Sequence, residues 1–151
     1  MPNLTPAERL AALEAGENPL EIARMKSGYA VMGDSQFLPG YCLLLAFPLV
    51  EKLNDLQGEH RTAFLDDMAK LGDAVLASTD AVRINYSIYG NLDPFLHAHI
   101  FPRYATEDPA YATIPPMSIP ADVRGSVPYD PSVHDALRRV IASHLQPYEP
   151  V

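Results

Sequence analysis

His97 and His99 stand two residues apart in the stretch "GNLDPFLHAHIFPRY", residues 90–104. On an extended strand, side chains two apart share a face, with Cα atoms about 6 to 7 Å apart. Two imidazoles so placed can converge on one atom or on one phosphate group. A neutral imidazole near pH 7 serves as nucleophile, proton carrier or metal ligand. The preceding turn adds Gly90, which lets the backbone come close to a ligand, and Asn91, whose amide can donate to a phosphate oxygen or close an Asx turn on its own backbone. Residue types alone therefore leave three readings open: plain sheet-face histidines, a metal pair, and an anion site. A zinc site needs a third or fourth protein ligand, and the candidates Cys42, His60 and His134 follow no recognisable metal spacing. No metal or other cofactor is expected.

The elements that must position this pair can be read from periodicity. "FLHAHIFPRY" alternates, placing Phe95, His97, His99, Phe101 and Arg103 on one face and Leu96, Ala98 and Ile100 on the other. Arg103 lies about 13 Å beyond His99 along the strand, so it suits an acidic partner or another subunit better than the reaction. "VRINYSIYG" sets Val82, Ile84, Tyr86 and Ile88 against Arg83, Asn85 and Ser87, again a strand with one buried face. Upstream, strands over Tyr29 to Met32 and Tyr41 to Ala46 form an antiparallel pair, joined through the turn residues Gly33, Asp34, Pro39 and Gly40. The longest helix runs through "GEHRTAFLDDMAKLGDAVLAS" after Asn54 or Asp55 as cap, with Phe64, Met68, Leu71 and Val75 on its packing stripe.

The ends are read from capping grammar. In "TPAERLAALEAG", Thr5 caps, Pro6 opens the helix, Glu8 completes a capping box and Gly16 stops it. "NPLE" repeats that grammar with Asn18, Pro19 and Glu21, so a further turn or two of helix is expected up to about Lys26. From Asp108 to Pro131 prolines break every regular pattern, giving an extended arm that crosses the surface or a partner subunit. Asp130 and Pro131 then start a helix with Val133, Leu137, Val140 and Ile141 on one face.

Chain-wide properties narrow the partners. The 151 residues suit one domain, with 48% hydrophobic and 20% charged residues. With 19 acidic against 11 basic residues, the net charge of −8 repels a polyphosphate backbone, so no long nucleic acid is expected. A small anionic ligand in one pocket remains compatible with that field. Cys42 is the single cysteine, no export segment precedes Leu4, and the apolar run "YCLLLAFPLV" is too short to span a membrane. A cytoplasmic protein without a membrane partner is the expectation.

With these residues in view, "GNLDPFLHAHIFPRY" resembles the signature of the histidine triad (HIT) family, in which H-x-H-x-H ends a strand. "LPGYCLLLAFPLVEKLNDL" resembles that family's upstream strand, its proline-glycine turn and its strand-to-helix passage, so the likeness covers roughly residues 27–104. The resemblance implies an α+β fold: an antiparallel sheet of about five strands with helices packed on one face. To this the chain adds N-terminal helices over 1–26 and the proline-rich arm and helix over 105–151, all in a single domain of 1–151.

By the same resemblance, His97 falls on the nucleophile and His99 on the phosphate contact. Phe95 stands where the first histidine belongs, and Tyr41 where many members carry histidine. Asp34 or Gln36 falls near the family's ribose contact. The implied ligand is a small-molecule nucleotide, and the implied chemistry is hydrolysis or transfer at its α-phosphate through a nucleotidyl-histidine intermediate. The implied assembly is a homodimer with sheets paired edge to edge. Phe95 also motivates a non-catalytic nucleotide-binding or interaction protein.

Overall fold

A computed structural model describes residues 4–150; residues 1–3, where no export segment is expected, and residue 151 lie outside that description. The expected capping box forms: Thr5 N donates to Glu8 Oε2 at 2.7 Å, and Glu8 N donates to Thr5 Oγ1 at 3.2 Å. Helix α1 spans Pro6–Glu14 and ends at Gly16, whose φ of 70° lies in the left-handed region glycine tolerates. Leu10 and Leu13 are buried and tie α1 to the core.

The helix expected after Asn18 does not form. Asn18 Oδ1 accepts from Leu20 N at 3.0 Å in an Asx turn, and Glu21–Met25 is strand β1. The capping grammar of "NPLE" is local and weak, whereas pairing with a neighbouring strand satisfies the backbone and buries Leu20, Ile22 and Met25 together. A register shift between Glu21 and Ala23 accommodates the uneven apolar spacing.

Strands β2 (Gly28–Met32) and β3 (Cys42–Ala46) pair antiparallel as expected. Strands β4 (Arg83–Ile88) and β5 (His97–Arg103) complete one five-stranded antiparallel sheet in the order β1-β2-β3-β5-β4. This is the α+β architecture anticipated from sequence. Helix α2 (Gly58–Ser78) buries Phe64, Leu71 and Val75. Asn54 and Asp55 do not cap it: they belong to a separate 3-10 turn, Leu53–Asp55, and Gln57 takes the cap position. The helix lies on the face of β5 opposite the histidines. Its Gly72 abuts the Tyr86 hydroxyl, and Tyr86 sits across from Ile100.

The proline-rich segment is not uniformly extended. It holds a 3-10 turn at Pro116–Ser118 and a short helix α3 at Ala121–Arg124, and it folds back on this chain's own sheet. Arg103, 7% exposed, holds its start. The guanidinium donates to the Glu107 carboxylate at 2.9 and 3.0 Å, to Asn85 Oδ1 at 2.9 Å, and to the carbonyls of Tyr111 at 2.9 Å and Ile114 at 2.7 Å. The acidic partner anticipated for Arg103 is thus Glu107. Further on, Gln36 N donates to Val127 O at 2.8 Å and Tyr129 N to Asp34 O at 2.7 Å, so the arm reaches the β2–β3 connection.

Asp130 caps the last helix, α4 (Pro131–Ser143), through Ser132 N at 3.0 Å. Its packed residues are Leu137, Ile141 and Ala142, whereas Val133 at 65% and Val140 at 44% exposure face outward. The stripe is narrower than expected because α4 covers only the margin of α2 and β1.

Replacing Arg103 by Met should cost about 3 to 5 kcal/mol, because it leaves Glu107 buried without its cation and three acceptors without a donor. Urea unfolding measures that loss, and limited proteolysis should show earlier cleavage within residues 105–116.

Candidate functional site

The antiparallel register sets which side chains meet. Leu43 lies across from His99 and Leu45 across from His97, so both histidines rise from the sheet between β3 and β4 with apolar neighbours beneath. They line a cavity of about 280 Å³ together with Asp34, Ser35, Tyr41 and Asp93. Leu20, Val31, Leu43 and Leu45 supply its apolar wall.

His97 is 9% exposed and its Nδ1 lies 2.8 Å from the Phe95 carbonyl. A carbonyl only accepts, so Nδ1 carries the proton and Nε2 keeps its lone pair. The Phe95 ring, 3% exposed, stacks on the imidazole at a centroid distance of 4.3 Å and fixes its plane. Burial lowers the pKa of His97 from its ordinary value, against the opposing pulls of its bond to Phe95 and of Asp93; Arg9 adds to the lowering. The imidazole is therefore neutral at pH 7.

His99 is held differently. Its Nδ1 lies 2.7 Å from the Tyr41 hydroxyl, and its ring runs parallel to Phe101 at a centroid distance of 5.4 Å. Tyr41 in turn stacks on Phe101 at 4.3 Å. Burial first, and then the neighbouring His97, push the pKa of His99 down to about 4. Burial raises the pKa of Tyr41, so the phenol keeps its proton at neutral pH. A side chain that at first sight only removes an imidazole thus supplies a hydrogen bond to the second histidine.

The remaining sequence candidates separate. Asp34 lines the cavity. Gln36 is 2% exposed and binds backbone: its Nε2 donates to Gly33 O at 3.0 Å and Tyr41 O at 2.9 Å, and its Oε1 accepts from Gly40 N at 2.9 Å. It shapes the turn that presents Tyr41. Gly90 has a φ of 91° and turns the chain before β5, but Asp93, not Gly90 or Asn91, is the residue of that loop on the cavity wall. Arg9 and Asn18 also line the cavity and were not anticipated. They come from a segment whose local patterns speak only of helix caps, and nothing in their spacing to His97 announces the contact.

Among the described residues, no three His, Cys, Asp or Glu side chains are grouped to hold a metal ion. Cys42 is fully buried and sits across from Ile100 on the helix-covered face. His134 Nδ1 accepts from Asp130 N at 2.8 Å, within the first turn of α4. No helix among the described residues is long and apolar enough to cross a membrane.

No protein-family model and no curated protein matches the sequence. Solved structures do match. A histidine triad protein from Sinorhizobium meliloti superimposes with a TM-score of 0.72 at 18% identity, over 96% of this chain and 99% of that one. A Hit-like protein involved in cell-cycle regulation from Bartonella henselae gives 0.67 at 18%, over 89% and 93%. A hypothetical histidine triad nucleotide-binding protein from Sulfolobus tokodaii gives 0.68 at 11%, over 89% of each chain. The chain therefore has the histidine triad fold, as its central motif implied.

Proton titration of the histidine ring resonances by NMR should find His99 titrating near pH 4 and His97 below its ordinary 6.5. A His97 midpoint at or above 6.5 would show that desolvation does not dominate there. Because both pKa values are lowered on folding, the unfolded chain binds more protons between the unfolded and folded values. Stability should fall as pH drops from about 6.5 toward 4 and be retained above that window.

Proposed function

We propose that this protein binds a small-molecule nucleotide and cleaves it at the α-phosphate, as a hydrolase or transferase, through a nucleotidyl-histidine intermediate on His97. One observation carries this reading above the others: the bond from His97 Nδ1 to the Phe95 carbonyl, which leaves a neutral Nε2 on a cavity shared with His99. A plain sheet-face histidine has no need of a fixed tautomer. In the proposed first step, Nε2 forms a bond to the α-phosphorus while the bond from phosphorus to the leaving oxygen or nitrogen breaks, and the leaving group takes the electron pair. In the second, water attacks the phosphorus and releases a proton to solvent, the N–P bond breaks, and its electrons return to Nε2.

His99 is the donor in this scheme. With the Tyr41 hydroxyl donating to Nδ1, the proton of His99 resides on Nε2 and serves a phosphoryl oxygen. Asp34, which lines the cavity, would serve a ribose hydroxyl, and Gly90 turns the loop before His97. The Sulfolobus protein's description as nucleotide-binding agrees with this ligand class.

Phe95 supports a second reading, nucleotide binding without turnover, because a buried phenyl ring supplies no proton to a leaving group. Incubation with adenosine phosphoramidate, dinucleoside polyphosphates and adenylylated lysine, followed by mass spectrometry of the intact protein, separates the two. Catalysis predicts turnover and a trapped adduct in the wild type, both lost in His97→Ala. Turnover undiminished in that variant would remove His97 as nucleophile, whereas micromolar binding without turnover would establish the binding reading. Tyr41→Phe should preserve the ring stack and lower turnover about 10- to 100-fold through His99, less than loss of a directly acting acid or donor because the hydroxyl acts only through that ring.

The assembly we propose is a cytoplasmic homodimer paired along β4, whose outer edge has no strand partner among the described residues. Light scattering should give twice the chain mass; a monomer at high concentration would overturn it.

A further inference from the structure

We propose that Arg9, carried by α1 outside the stretch that resembles the family, supplies the positive charge that holds the ligand's phosphate and makes the cavity selective for anionic over neutral ligands. The inference rests on the nucleotide reading above. It begins from a census of charge. Among the described residues, the side chains lining the histidine cavity include the carboxylate of Asp93 and one permanent cation, Arg9. Both histidines are neutral at pH 7, because burial disfavours their charged forms. Among the described residues Arg9 is the permanent cation on a wall that also carries the Asp93 carboxylate, within a chain of net charge −8. Without that cation a phosphate would be repelled by Asp93 from the two imidazoles meant to receive it.

Arg9 is also held as a binding group should be. The capping box fixes the start of α1, and Leu10 and Leu13 anchor the helix in the core. Arg9 Nε donates to the Leu4 carbonyl at 3.3 Å, and its two terminal nitrogens have no hydrogen-bond acceptor among the described residues. A half-buried guanidinium whose outer edge binds none of the described residues presents the planar fork that matches two phosphoryl oxygens. The other arginine near the histidines, Arg124, lies across the Tyr41–His99 pair in a separate hollow, and its Nε and one terminal nitrogen are engaged by Ile119 O and Met117 Sδ.

The test is calorimetric titration of the full chain with AMP, adenosine and pyrophosphate, using wild type, Arg9→Gln and Arg9→Lys. The wild type should bind AMP more tightly than adenosine. Arg9→Gln should weaken AMP binding about 10- to 100-fold, the usual scale of a charge-assisted hydrogen bond to a phosphate. Adenosine binding and the thermal midpoint should stay unchanged, and Arg9→Lys should recover part of the AMP affinity. Equal AMP affinity in wild type and Arg9→Gln would overturn the assignment, as would a parallel loss of AMP and adenosine. Arg9-dependent binding of pyrophosphate without any binding of AMP would sustain Arg9 and defeat the nucleotide reading. A wild type that takes none of the three would defeat both.

Discussion

The structure depends on β5 being hydrogen-bonded along both sides, to β3 and to β4. Doubly paired strands have no freedom to slip, and a slip of one residue would exchange their faces. Here that exchange would send His97 and His99 under α2 and bring Ala98 and Ile100 into the cavity. The apolar side of β5 prevents it, since Ala98 and Ile100 are fully buried. The positions of the histidines are thus determined by residues on the opposite face of the strand. The same strand ends in Arg103, so the element that presents the site also fastens the arm that returns to the β2–β3 connection beside it.

Burial is the second determinant, and it acts in one direction on both imidazoles. A protonated histidine would attract a phosphate but lose the lone pair that attacks it. Desolvation resolves the conflict by keeping the rings neutral and leaving the charge to other groups. Under the proposed chemistry a division of labour follows: the sheet contributes nucleophile and donor, while charge must arrive from outside the sheet. Only elements that fold over the histidine face can deliver it. The N-terminal helix brings Arg9 to the cavity wall, and under the proposed binding mode that gives the segment ahead of the sheet a role beyond covering apolar surface.

Much of this was legible in the sequence because period-2 alternation reports directly on faces. "FLHAHIFPRY" and "VRINYSIYG" declared their strands, and Thr5, Gly16, Asp130 and Pro131 declared helix ends by local hydrogen bonding. "NPLE" misled because a cap sequence has its meaning only if a helix follows. Residues 21–25 instead found a strand partner in β2, a non-local choice that local grammar does not encode. Gln36 carried polar atoms suited to a ligand, yet those atoms are used by its own turn. Arg9 reaches the site only through the tertiary fold, so no spacing in the chain could have announced it, whereas Asp93 stands in the turn just before His97.

Phe95 and Tyr41 look in sequence like two losses of imidazole, and the fold makes them unequal. Phe95 contributes its backbone carbonyl to His97 whatever its side chain is, so the tautomer of His97 does not depend on that side chain; its ring stacks on the imidazole as an apolar wall. Tyr41 replaces a ring nitrogen with a hydroxyl that still reaches His99, and its stack on Phe101 holds that hydroxyl in place. Phe95 itself therefore offers no proton beside His97, while both histidines are held in fixed orientations. Under the proposed chemistry this shifts the burden onto the leaving group. One that departs as a stable anion needs no proton in the first step, whereas an amine must be protonated as it leaves and has only the His99–Tyr41 pair to draw on. The aromatic substitutions thus bear on which bond to the α-phosphate breaks readily more than on which ligand enters.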